Sequence, residues 1–271
     1  MRIAILHEVS ATLATIQGCS ITSLAQLWQQ AGHEVVHLFG PKSAVSADVI
    51  IVHVDLSVVP EEYLALARRY PVALNGRLAD IRKRRISRQL LQRGDAHQGP
   101  VIVKSDLNFA GAPEHYAASQ KRRWLFWKNT PRPIGLPNHL EYPVYASITE
   151  VPPAYWNNPG LVVEKFMPER EGNDYFLRQS FFLGDRHRSW RLRASRPVIR
   201  GSAYLDDVEI PTPPAVEQYR RKIGLDYGKI DFVEHNGTVT FLDVNKTVGG
   251  PAAPLTTNYL APAIEAFFPR S

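Results

Sequence analysis

The chain has 271 residues and a mass of 30.5 kDa, 44% hydrophobic and 21% charged, which is ordinary globular composition. Thirty-two Lys and Arg against 26 Asp and Glu leave a net charge of +6 and a pI near 9.4, a balance that favours anionic ligands. A single cysteine, Cys19, excludes an intramolecular disulfide framework and a thiolate zinc cluster. No apolar run is long enough to span a membrane, and His7 and Glu8 interrupt the first one too early for a signal peptide, so a cytoplasmic protein of the α/β or α+β class is expected.

Strand and helix patterns alternate through residues 1–96. Residues 3–6 form an apolar run of buried-strand type. Leu24, Leu27, Trp28 and Ala31 recur at helical spacing, and Gly32 stands where a helix stops. Two β-rich runs follow at 34–39 and 48–54, then a helix opened by Pro60, Glu61 and Glu62, and a strand at 72–74. Asn75-Gly76 is expected to turn into a helix running to about Leu91. This alternation predicts a small parallel, Rossmann-like sheet, but without a G-x-G-x-x-G fingerprint for a dinucleotide.

Beyond it, residues 101–104 read as a strand, 113–123 as a helix and 124–127 as an aromatic run. Seven prolines between 129 and 159 exclude one long helix there. After Gly160 the chain turns β-rich, at 161–166, 175–183, 189–194 and a hairpin near 228–245, before a closing helix at 256–268 that contains Pro262. There is no internal repeat.

The hairpin carries the strongest chemistry. A two-residue Asn236-Gly237 loop without irregularity pairs Asp231 with Leu242 and mixes carboxylates and apolar groups on both faces. A three-residue loop, His235-Asn236-Gly237, pairs Lys229 with Asp243, puts Asp231 and Asn245 on the same face, and leaves Ile230, Phe232, Leu242 and Val244 as the core side. The second register is expected. It gathers two carboxylates, an amide oxygen and a lysine, hard oxygen donors of the kind that hold Mg²⁺ against phosphates; the alternative is a solvated sheet face.

Two further segments accompany it, Val101-Ile-Val-Lys104 and Val162-Val-Glu-Lys-Phe-Met167, and the hairpin itself ends Leu242-Asp-Val-Asn245, followed by Gly249-Gly250. In order and spacing these resemble the ATP-grasp superfamily, above all the carboxylate–amine ligases typified by D-alanine–D-alanine ligase, glutathione synthetase and RimK. The resemblance implies an ATP-grasp fold: an N-terminal Rossmann-like domain (1–96), a central lobe (97–160) and a C-terminal lobe (161–271), the two lobes clasping ATP with Mg²⁺.

By that resemblance Lys104 contacts ATP phosphates, as does either Lys83 or Arg84. Glu164, Lys165 and Phe166 form the hinge that bonds adenine, largely through backbone groups, and Glu171, or Asp174 if the register shifts, holds the ribose. Asp231, Asp243 and Asn245 are the magnesium ligands, and Lys229 stands where these ligases usually carry arginine. Asn108 and Gly111 lend donors from a phosphate loop that is poorer in glycine than the family's. The implied reaction joins a small-molecule carboxylate to an amine through an acyl phosphate. Two alternatives stay open: a kinase on the same fold, and a non-catalytic nucleotide- or nucleic-acid-binding module. Relatives commonly pair into homodimers.

Basic residues cluster at 82–88 and 186–200. Arg191 and Arg193 alternate with Trp190, Leu192 and Ala194, so both point one way from a strand; with Arg178 they are candidates to line the cleft and act on an anionic substrate. The run Lys121-Arg-Arg-Trp-Leu-Phe-Trp-Lys128 is read as packing rather than a platform for nucleic acid. No histidine spacing suggests zinc.

Overall fold

The computed structural model describes residues 1–125, 142–199, 203–250 and 254–268. Side chains from 121 to 125, the aromatic run at 126–127 and Arg200 lie outside what is described. Strands β1 (Arg2–His7), β2 (Glu34–Phe39), β3 (Val49–Val52) and β4 (Val72–Leu74) form a parallel sheet in the order β2-β1-β3-β4. Both faces of β1 are buried, as a parallel sheet requires. Ile3 and Ile5 pack under the helix Ser20–Gln30, and Ala4 and Leu6 under the helix Glu61–Ala67.

A second sheet contains β5 (Leu90–Leu91), β6 (Val101–Ser105), β7 (Val144–Tyr145) and β8 (Leu161–Lys165) in the order β5-β8-β6-β7. It takes β5 and β8 from either side of the 97–160 stretch. The third and largest sheet holds β9 (Glu169–Glu171), β10 (Asp174–Leu183), β11 (Arg186–Ala194), β12 (Asp206–Ile210), β13 (Tyr227–His235) and β14 (Thr238–Asn245), with β9 pairing to β10 at one side of the path β12-β11-β10-β13-β14. The helix Pro214–Ile223 covers the back of this sheet, where Phe182, Ile230, Phe232 and Val244 are fully buried.

Two expected helices are corrected. Between Asn75 and Leu91 only Lys83–Ile86 is helical, and Leu90–Leu91 is a strand. Aspartates take the backbone donors there: Asp80 accepts from Arg82 N (2.9 Å) and Asp106 from Arg84 N (2.9 Å), contacts that compete with helical bonds. At the other end the α-helix Pro254–Leu260 gives way to a 3₁₀ turn, Ala261–Phe267, at the position of Pro262.

The sheets are tied over long sequence distances. Asn75, fully buried and at φ 58°, accepts from the backbone N–H of Asp226 (2.8 Å) and Tyr227 (3.1 Å) and donates to the Tyr227 carbonyl (2.9 Å), fixing the start of β13 to the first sheet. Trp28 Nε1 donates to the carbonyl of Ala261 (2.9 Å), so the C-terminal segment closes one face of the N-terminal core.

Candidate functional site

The alternation of β13 builds the floor of the site. Ile230 and Phe232 point into the core, while Lys229, Asp231 and Val233 line a cleft of about 800 Å³ above the third sheet. Gly228 is needed at the strand's base: at φ 153° it lies so near β14 that a Cβ would sit 2.2 Å from the Asn245 carbonyl oxygen.

The hairpin register differs from expectation. Asn236 (φ 49°) and Gly237 (φ 75°) are both left-handed and make a two-residue turn that pairs His235 with Thr238, the geometry whose twist suits a hairpin. The ladder then slips at one irregularity between Asp231 and Phe232: Phe232 pairs with Phe241 but Asp231 with Asp243, and Lys229 faces Asn245 rather than Asp243. Leu242 is the extra residue of this bulge and lines the cleft instead of the core. The four polar groups therefore do share one surface, by a route different from the three-residue loop.

Each of them has a partner within the chain. Lys229 Nζ lies 2.9 Å from Asp231 Oδ1 and donates to Oδ2 at 3.1 Å. Burial pushes the Asp231 carboxyl above the usual carboxylate range; Lys229 opposes this and Asp243 adds to it. Lys83, only 2% exposed, donates from Nζ to Asp243 Oδ1 at 3.2 Å. Its burial, the largest single influence, would lower the ammonium's pKa, but Asp243 together with Tyr142 and Glu164 holds it raised. Asn108 Nδ2 donates to Asn245 Oδ1 at 2.5 Å.

Across the cleft, Lys104 on β6 pairs with Glu164 Oε2 on β8 at 2.7 Å, both side chains buried. Glu164 thus presents a side-chain ion pair where a backbone hinge is expected. The next two N–H groups are also used within the protein, Lys165 N on the Gln89 carbonyl and Phe166 N on that of Pro100, each at 2.9 Å. The side chains of Lys165 and Phe166 do line the cleft.

Several expected residues lie elsewhere. Lys83 rather than Arg84 enters the cleft; Arg84 turns outward to Asp106 (2.5 Å) and the Pro159 carbonyl. Arg178, Arg191 and Arg193 share one face, but the wrong one. Gln179 lies opposite Asp231, and Trp190 opposite Gln179, so Gln179, Trp190 and Leu192 take the cleft side. The arginines project from the back, where Arg178 and Arg191 both bind buried Glu169 (each 2.9 Å). The acids expected at the ribose are held there as well, Glu171 by Arg191 and Asp174 by Arg193 (3.2 Å). Gly111, left-handed at φ 78°, is buried beside Leu107 and does not line the cleft.

Compared with solved structures, the chain superposes on a RimK-domain ATP-grasp protein of Sphaerobacter thermophilus with a TM-score of 0.50 and 14% identity, over 99% of each chain. The fold is ATP-grasp. The D-alanine–D-alanine ligase of Bacillus anthracis matches at 0.47 and 11% identity over 98% of this chain and 96% of its own. The macrocyclase MdnC of Microcystis aeruginosa, bound with precursor peptide MdnA, matches at 0.47 and 11% over 98% and 99%. No protein-family model and no curated protein matches the sequence.

The grasp has a polar junction that sequence reasoning missed. Just beyond Asn245, fully buried Lys246 donates to the Leu56 carbonyl, and Thr247 donates to Asp55 at 2.6 Å. Burial drives the Lys246 ammonium down to about 8 despite Asp55. Ser57 Oγ accepts from the Asn108 N–H (2.8 Å), and Glu114 accepts from Ser57 N (2.6 Å). These partners are 51 to 192 residues apart, and the only local trace is the Lys-Thr-Val-Gly-Gly run after Asn245.

Proposed function

We propose that the chain is an ATP- and magnesium-dependent ligase that joins a carboxylate to an amine through an acyl phosphate. The observation that carries this reading is the set Asp231, Asp243 and Asn245 on one sheet face, with Lys83, Lys104 and Lys229 lining the same cleft. Among the described residues no three His, Cys, Asp or Glu converge as a metal site; two carboxylates and an amide oxygen instead suit an ion whose remaining ligands are phosphate and water. When bound, magnesium would neutralise charge on the transferring phosphoryl group.

In this reading Lys83 and Lys104 hold phosphate oxygens as compact cations, and the side chains of Lys165 and Phe166 flank the adenine. A substrate carboxylate oxygen attacks the γ-phosphorus and ADP leaves. The amine then attacks the acyl carbon, and phosphate leaves as the amide forms. Catalysis is positioning and charge stabilisation, and Lys229 is placed to meet the oxyanion of the tetrahedral intermediate.

The test is thermal unfolding of wild type and Asp243→Ala with Mg²⁺ and a non-hydrolysable ATP analogue. Ligand at 100 times its dissociation constant adds about 2.7 kcal/mol and raises the midpoint by several degrees. A magnesium-dependent rise in wild type that is lost in the variant supports the site; no rise at millimolar analogue overturns it. Lys229, where an arginine is usual, favours a second reading as a kinase. Product analysis separates them, phosphate plus an amide against a phosphorylated acceptor.

A further inference from the structure

We propose that this chain supplies its own counter-groups to the oxygen donors of the cleft, so that a divalent ion enters only together with a nucleotide, whose phosphates take those groups over. The inference rests on the metal–nucleotide reading above and adds an obligatory order to it. Each of the three residues has an internal partner: Asp243 Oδ1 accepts from Lys83, Asp231 Oδ2 from Lys229, and the Asn245 amide oxygen from Asn108. Two carboxylates against two ammonium groups leave this part of the floor neutral.

A free divalent cation would add two positive charges beside two ammonium groups that are already there. Lys83, 2% exposed where it borders the cleft, is held against Asp243 with little water around it to screen that repulsion. The reward would also be small, because the chain offers the ion only two acids and an amide. A polyphosphate changes both terms at once. Its anionic oxygens give Lys83 and Lys229 new partners of the same sign as the carboxylates they leave, and they complete the coordination of the ion.

Asn108 extends the exchange to the loop above. Its side chain bonds Asn245 while its backbone N–H is held by Ser57 (2.8 Å). The two residues after it, Phe109 (φ 45°) and Ala110 (φ 53°), sit in left-handed conformations that are costly for side-chain-bearing residues. Turning the Asn108 amide from Asn245 onto phosphate frees the amide oxygen for the ion. Metal and nucleotide affinities are then linked, each raising the other by the same factor.

The experiment measures Mn²⁺ affinity by electron paramagnetic resonance of the free ion. It uses wild type, Lys83→Met and Lys229→Met, each with and without a non-hydrolysable ATP analogue. Wild type is expected to bind Mn²⁺ at least thirtyfold more tightly with the analogue than without. Either lysine variant should bind Mn²⁺ at least tenfold more tightly than wild type without nucleotide, should bind the analogue more weakly, and should show a smaller linkage. Lys229 is less deeply buried than Lys83 and carries the same test if Lys83→Met does not fold.

If wild type binds Mn²⁺ with the analogue but the lysine variants show wild-type affinity without it, the site stands and the exchange is wrong. If wild type binds no Mn²⁺ even with the analogue, the exchange and the metal–nucleotide reading fail together.

Discussion

His7, His37 and His53 sit at the C-terminal ends of β1, β2 and β3, with ring centroids 5.1 to 5.3 Å from His7 and a His7–His37 hydrogen bond of 2.9 Å. Burial holds His7 down to about 2 and His53 to about 3, whereas in the unfolded chain both accept protons near 6.5. The unfolded state therefore binds more protons below that value, and stability falls as pH drops from about 6.5 towards 3. Each histidine should remove about 2 kcal/mol between pH 7 and pH 5. Urea midpoints at the two pH values check this, and His53→Gln should flatten the difference. A second residue-scale expectation concerns the Lys104–Glu164 pair. Lys104→Met leaves a buried carboxylate unpaired, an arrangement that costs about 3–5 kcal/mol. The melting point should drop by several degrees and recover largely in the double variant with Glu164→Leu.

At the scale of elements, β13 and β14 show what a sequence can and cannot disclose. Alternation alone names Ile230, Phe232 and Val244 as the core side, and their complete burial agrees with it. Register is harder, because one extra residue in the ladder reverses the parity of everything beyond it. Nothing local to Leu242 announces the irregularity. Arg191 and Arg193 illustrate a related ambiguity: a period of two says that they point together, but both faces of this sheet are covered, so it does not say where. Leu192 between them, and Trp190 before them, face the cleft. The hairpin base offers a direct test. Gly228→Ala drives a methyl into the Asn245 carbonyl, so loss of nucleotide-dependent stabilisation should exceed loss of intrinsic stability, read by melting with and without Mg²⁺ and the ATP analogue.

For the whole molecule, the ATP-grasp architecture was legible from a few short motifs in order. The contacts that lock its sheets together were not, because Asn75 with Tyr227 or Lys246 with Leu56 leave no periodic mark. The positive charge can likewise mislead when read from composition alone. Arg178, Arg188, Arg191, Arg193, Arg220 and Arg221 are each committed to an acid, so these six do not stand as free cations on the surface. Filter binding to single-stranded DNA should accordingly show no retention at 0.15 M salt; tight binding with a steep salt dependence would count against this.

The hydrogen bond from Trp28 to Ala261 has a consequence for biosynthesis. Ile3, Ile5, Ile21 and Leu24 share their core with Leu260, Ala263, Ile264 and Phe268. A ribosome making this chain finishes β3 with most of the sequence still to come, roughly 10–40 s of elongation at ordinary rates of about 5–20 residues per second. For all of that time the core beneath the helix Ser20–Gln30 lacks Leu260, Ala263, Ile264 and Phe268, which complete it. Until residues 260–268 emerge the nascent protein carries part of that apolar core open, which makes it a natural client for whatever shields such surfaces during translation.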